Sequence, residues 1–200
     1  NARLVINPGV DLNILGSADT PVAIKAVSSG EGAITSAWGG VEINGWTADC
    51  PNTGVCAEAE KPRVKVGYLR LFDTGAGDQP ALSLNQIGSG DQFSHLDIAG
   101  GAAAGVAISG GAVNLDNLLV SGVRGDQLSW RNGYTGTIQY GILQANDAHS
   151  GYALHGKNRE DNHNGLPRSR PVLANITAIG GDASKSAILL EQGSGLILYN

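Results

Sequence analysis

Short apolar triplets recur every ten to twelve residues through most of the chain. Leu96-Asp97-Ile98 is followed by Val106-Ala107-Ile108, Leu118-Leu119-Val120, Leu128-Ser129-Trp130, Gly141-Ile142-Leu143 and Tyr152-Ala153-Leu154. After one interruption come Ile176-Thr177-Ala178, Ala187-Ile188-Leu189 and Leu196-Ile197-Leu198. Gly, Asn and Asp punctuate the series so closely that no helix of ordinary length fits, and the triplets are too near for strand-helix-strand units. Every second triplet returns after about 20–24 residues, from 96 to 118 to 141 and, past an insertion, from 176 to 196. Such a period predicts an all-β solenoid, a single-stranded parallel β-helix with at least two short strands per coil. Residues 1–200 form one such domain, and the pattern reads as part of a longer chain.

The hydrophobic register places side chains. Val113, Leu115, Leu118 and Val120 of one coil are expected to stack on a column of Ile138, Ile142 and Leu143 in the next. The first coil is Leu4-Val5-Ile6, Leu12-Asn13-Ile14 and Val22-Ala23-Ile24, and Trp38 to Gly45 starts the second. Val64 to Phe72 reads as one longer strand in which Val64, Val66, Tyr68 and Leu69 compete for the inward face. Asn114, Asn117, Asn146, Asn175 and Asn200 suit corners, where their amides can bond backbone along the stack. Two segments break the repeat as inserted loops, 47–63 and 157–170. The second is polar from Lys157 to Gly165 and reads either as a solvated insertion or as a binding loop over one face. Leu196 to Asn200 leaves an uncovered apolar strand, which calls for further coils or an end-capping neighbour.

Composition narrows the classes. Glycine supplies 30 of 200 residues without a three-residue period, and pairs such as Gly100-Gly101, Gly110-Gly111 and Gly180-Gly181 sit at strand ends, where corners demand positive φ or close approach. Aromatics are only 5 %, so the core must be Val, Ile, Leu and Ala. Thirteen basic against 18 acidic residues give a net charge of -5 with no basic block, which argues against nucleic acid and anionic membranes as partners. No apolar run approaches the roughly 18 residues of a membrane-spanning helix. The two cysteines, Cys50 and Cys56, flank a Pro-Asn-Thr-Gly turn. A local disulfide, and with it an oxidising compartment, is favoured over two unrelated thiols or a metal pair.

The ordered series Ala2-Arg3-Leu4-Val5-Ile6, Trp38 to Gly45, Gly110 to Leu115, Gly125 to Trp130, Gly133 to Tyr140 and Pro167 to Ile176 resembles secreted or surface-anchored bacterial proteins with a pectate-lyase-like, right-handed parallel β-helix. Many of those are described only as lipoproteins or repeat proteins. The resemblance covers most of the chain. It implies a bacterial protein that is secreted or held at the outer cell surface, and no agreed chemistry, because this architecture hosts lyases, hydrolases, adhesins and scaffolds alike. Relatives often carry two acids after the glycine where this chain has Gly125-Asp126-Gln127, and the missing carboxylate weakens the case for a catalytic or metal centre there.

Candidate chemistry is sparse. A polysaccharide lyase needs a basic residue beside a calcium-binding carboxylate cluster, and a glycoside hydrolase needs two paired carboxylates. Asp97, Asp116 and Asp126 are the acids considered for a structural Ca²⁺ at a coil corner, Asp97 and Asp116 being taken as near one another on successive coils. A mononuclear site from His149, His155 and His163 matches no metal-ligand spacing. Trp130, Tyr134, Tyr140 and Tyr152 are taken to fall in successive coils. Turned outward, Trp130 and Tyr134 would form a stacking platform for sugar rings, with Tyr152, His155, Asn158 and Asp161 as polar contacts; turned inward, Trp130 covers a corner of the core. No residue is assigned a catalytic role. The sequence reads as a structural or adhesive surface module that binds an extracellular glycan or cell-surface protein, with a polysaccharide-degrading enzyme as the alternative.

Overall fold

The computed structural model describes residues 2–26, 38–45, 64–145, 151–182 and 187–200. They stack as seven layers of parallel strands. The first layer holds β1 (Leu4–Ile6), β2 (Leu12–Leu15) and β3 (Val22–Lys25), and the second holds β4 (Val41–Asn44) and β5 (Val64–Thr74). The third is β6 (Leu82–Asn85) with β7 (Gln92–Gly101), the fourth β8 (Val106–Ser109) with β9 (Asn114–Val123), and the fifth β10 (Leu128–Arg131) with β11 (Thr137–Gln144). β12 (Leu154–Gly156) and β13 (Val172–Ile179) form the sixth, and β14 (Ile188–Leu190) and β15 (Ile197–Tyr199) the seventh. Sheet one runs β1-β4-β6-β8-β10-β12-β14; sheet two runs β2-β5-β7-β9-β11-β13-β15, with β3 beside β5. A single turn of tight helix, Ala76–Asp78, is the one helical element among the described residues. The parallel β-helix is therefore the fold, and among the described residues no helix is long and apolar enough to cross a membrane.

The long strands of sheet two are bent. Tyr68, His95, Asn117, Tyr140 and Asn175 all have φ between 53° and 56°, in the left-handed region. The ladders on either side bring these five into one register column. Each long strand is thus two short strands meeting at a corner, and the coil has three faces: sheet one, the first half of sheet two and its second half. The bend resets the alternation. Val64 and Val66 point inward before it, Leu69 and Leu71 after it, and all four are buried. Leu69 takes the inward place for which Tyr68 was also a candidate, because a left-handed residue turns its side chain out of the pleat.

Register corrects three further expectations. Leu115, Leu118 and Val120 do point inward, but Ile142 pairs with Leu119 and faces outward, 49 % exposed. The 96–118–141 series continues to Ile176, whereas Ile197 pairs with Val172, so the 176-to-196 equivalence is out of step. Trp130, Tyr134 and Tyr140 belong to one coil rather than to successive ones. The predicted glycine corners are seen at Gly110 and Gly111, both at positive φ, where an added Cβ would run into Gln86 and the Ile87 carbonyl. Residues 157–171 form the loop between β12 and β13. The 47–63 segment, with Cys50 and Cys56, lies outside the described residues.

Candidate functional site

Strand alternation on sheet one sends Val41, Ile43, Leu82, Leu84, Val106 and Ile108 into the core. It leaves an outward column of Glu42, Ser83, Ala107, Ser129 and His155, in register across five coils. Beside it run Asn44, Asn85, Ser109 and Arg131. The residues in the middle of both columns are small, so the face is hollow there. The result is a groove of about 500 Å³, walled on one side by Asp78, Gln79 and Pro80.

Each end of the groove carries charge. At the N-terminal end Arg3 forms an ion pair of 2.7 Å with Glu42 and donates to Ser83 Oγ at 3.0 Å and to Gln79. Asn44 donates to Glu42 and accepts from Asn85, at 2.9 and 2.8 Å. At the other end His155 lies between two carboxylates, Nδ1 2.7 Å from Asp126 Oδ2 and Nε2 3.0 Å from Glu191 Oε1. Lys157 Nζ reaches the same Glu191 oxygen at 2.9 Å. The second oxygen of Asp126 accepts from the Tyr152 amide, and the Tyr152 ring meets the imidazole edge-on at 5.1 Å.

The hydrogen bond to Asp126, seconded by Glu191, raises the His155 pKa above its ordinary value, against the opposing pull of burial and Lys157. Glu191 is correspondingly lowered by the hydrogen bonds from His155 and Lys157. An imidazolium between two carboxylates satisfies both of its N–H donors, which makes it a clamp across the last three coils. Among the described residues no group of three or more His, Cys, Asp and Glu is arranged to hold a metal.

The residues singled out from the sequence scatter differently. Trp130 and Tyr134 do not form an exposed platform: they are 1 % and 0 % exposed. The Trp130 ring fills the space left by Gly156, where a Cβ would come within 2.5 Å of it, and its Nε1 donates to Ser194. Tyr134 donates to the Val113 carbonyl, and burial raises its phenol pKa. Asn158 is buried and holds the 157–171 loop from inside, so it is not a surface contact. Asp161 is exposed on that loop, away from the groove's lining. Tyr152, His155 and Asp126 do come together.

Asp97, Asp116 and Asp126 do not. Asp97 sits on the third face paired with Arg70; Asp116 sits on the second face opposite Ser94 and Gln139; Asp126 precedes sheet one. The ladder sets Asp97 opposite Leu119, three positions from Asp116, so the two are not stacked neighbours. His149 lies outside the described residues, and His163 is exposed on the loop. Arg3, Glu42 and Ser83 are groove residues that sequence reasoning missed, as it missed Glu191, which reaches the groove residues His155 and Lys157. The ladder shows what they share: Arg131, Lys157 and Glu191 each fall two places after the outward residue of their sheet-one strand.

A comparison with curated proteins and one with solved structures found no match. The match that exists is to the fold and spans every coil and the groove. The model of the pectate-lyase-like β-helix domain aligns with residues 1–200, and the chain belongs to that family.

Proposed function

We propose that this protein is an extracellular or cell-surface module, structural or adhesive in role, that holds a glycan strand lengthwise in the groove of sheet one. The observation that carries this reading is the shape of that groove. It crosses five coils, has a floor of Ser83, Ala107 and Ser129, and is lined with hydroxyls, amides and charged groups of both signs. Parallel strands repeat at roughly 4.8 Å, so an extended chain of hydroxyl-bearing rings meets a fresh row of donors and acceptors at each coil. Arg131, which makes no ion pair among the described residues, stands free to bond such a chain. The acidic composition and the closely spaced Cys50 and Cys56 support an exported protein.

Filling the floor tests the reading. Ala107→Trp places a large ring in the outward column without touching the core. Glycan-array retention should fall at least tenfold, about 1.4 kcal/mol, while the circular-dichroism spectrum and Tm stay those of the parent. A parent that retains no glycan, or an Ala107→Trp protein that binds as well as the parent, overturns the groove.

A polysaccharide-degrading enzyme is the second reading, favoured by one observation: two carboxylates, Asp126 and Glu191, at one end of the groove. Glycoside hydrolysis needs the scissile bond between such a pair, and here the His155 ring occupies that space. The binding module is therefore the better account.

A further inference from the structure

We propose that the corner between the two halves of sheet two carries a second carbohydrate site, one that takes a single neutral sugar residue. It shares no residue with the groove on sheet one and does not depend on what the groove binds.

Local backbone chemistry points there first. The corner column demands a left-handed residue in every coil. Asn117 and Asn175 meet that demand at ease, because a short amide tolerates positive φ. Tyr68 and Tyr140 occupy the same column with bulky rings that disfavour it, and His95 with a ring that tolerates it better. Nothing in the core requires those rings, since the side chains point out of the coil. Strain held by an aromatic group that the core does not require, as at the half-buried Tyr68, points to a binding surface.

The surroundings define the ligand. A hollow of about 310 Å³ opens beside the Tyr68 and His95 rings, which stack at 4.1 Å with their planes 16° apart. Pro21 and the exposed Leu119 supply its apolar surface. Among the described residues the Tyr68 hydroxyl, the His95 ring nitrogens and the Asn117 amide make no hydrogen bond. Arg70 Nε lies 3.4 Å from Asp97 Oδ2, a long ion pair in which both side chains stay partly open to solvent. Donors and acceptors are therefore mixed, and the one positive group is balanced by the one carboxylate. That balance disfavours phosphates, uronates and metal ions. It suits a molecule whose every polar group both donates and accepts and whose ring carries an apolar face, which describes a neutral pyranoside.

The test uses the isotopically labelled full chain titrated with methyl glycosides of mannose, glucose, galactose and N-acetylglucosamine, with galacturonate as the charged control. At least one neutral glycoside should shift the His95 ring and Asn117 amide resonances, and galacturonate should not. His95→Asn should weaken that binding about tenfold with Tm unchanged or raised, because asparagine suits the corner. Tyr68→Asn should do the same, whereas Ala107→Trp should leave these shifts intact, which separates the corner from the groove. If no neutral glycoside shifts either resonance, if galacturonate binds as well, or if both Asn variants bind like the parent, the site does not exist. A Tm that falls in both Asn variants while binding persists would make the rings structural and overturn the proposal equally.

Discussion

The compact coils from Leu82 to Gln144 and the coil that follows them are built on different principles. In the compact coils each layer repeats the same inward pattern: Leu96 and Ile98 lie under Leu118 and Val120, with Leu143 beyond, all at most 2 % exposed. These inward columns are apolar, and polar side chains such as Ser83, Asn85 and Ser129 lie on the outward columns. The sixth coil adds the loop between β12 and β13, and that loop has almost no apolar column of its own. It is ordered by one buried amide. Asn158 donates to the carbonyls of His163 and Gly165, both at 3.0 Å, and accepts from the Ser169 amide at 2.9 Å. Ser169 in turn accepts from the Gly133 amide one coil earlier at 2.8 Å. Apolar columns thus make coils that can be repeated, whereas a departure from the repeat needs its own polar fastening, because backbone groups taken out of water must find partners.

The sharpest way to break that contrast is to charge a column. Leu118→Asp buries a carboxylate against Leu96 and should cost about 4 kcal/mol or more. Because each layer packs only on its neighbours, urea denaturation followed by circular dichroism should show the compact coils failing together. A midpoint close to the parent's would mean that the columns do not carry the fold.

Asn158→Ala comes next in size. It leaves one amide and two carbonyls without partners, for a loss of about 1–3 kcal/mol. Hydrogen exchange should accelerate across 158–170 while amides of β7, β9 and β11 keep their protection. Acceleration spread evenly over both regions would show that the loop is fastened by the stack and not by its own amide.

The smallest effect is electrostatic and belongs to the clamp over the last coils. The raised His155 pKa means that its contribution is fully present below the ordinary imidazole value of 6.5 and is lost as pH rises through the raised value. The lowered Glu191 pKa works in the opposite sense: its contribution is present above the ordinary value of 4.5 and disappears as pH falls through the lowered one. Tm should therefore peak between those limits and decline on the alkaline side. The decline should amount to about 1 kcal/mol, since Glu191 is well exposed, or roughly 2–4 °C. His155→Gln should flatten it. A parent whose Tm is level through neutral pH would show that the clamp adds nothing to the sixth and seventh coils.

How much of this was legible differs by level. The period of the triplets is a one-dimensional property, and a solenoid is the architecture in which one-dimensional periodicity becomes three-dimensional contact, so fold and coil spacing could be read directly. The side on which a given residue points was less accessible. Tyr68 and Ile142 were misplaced because a left-handed corner resets the alternation, and tyrosine gives no local sign of such a corner as asparagine does. For Trp130 the inward reading holds, but the sequence could not show why. Its inward turn depends on Gly156, a full coil later, having no side chain in the way.

The candidate site was legible in part. Asp126, Tyr152 and His155 were all named from the sequence, yet for separate roles. Glu191 was missed because only register reveals it as the second partner of the imidazole. By itself the sequence determined the class of fold, the repeat and its departure at the loop that follows Gly156, all properties of composition and period. The tertiary structure alone decided which residues from different coils share a surface. Parallel stacking brings together side chains twenty to forty residues apart, and a shift of one place at any corner moves each of them to another face.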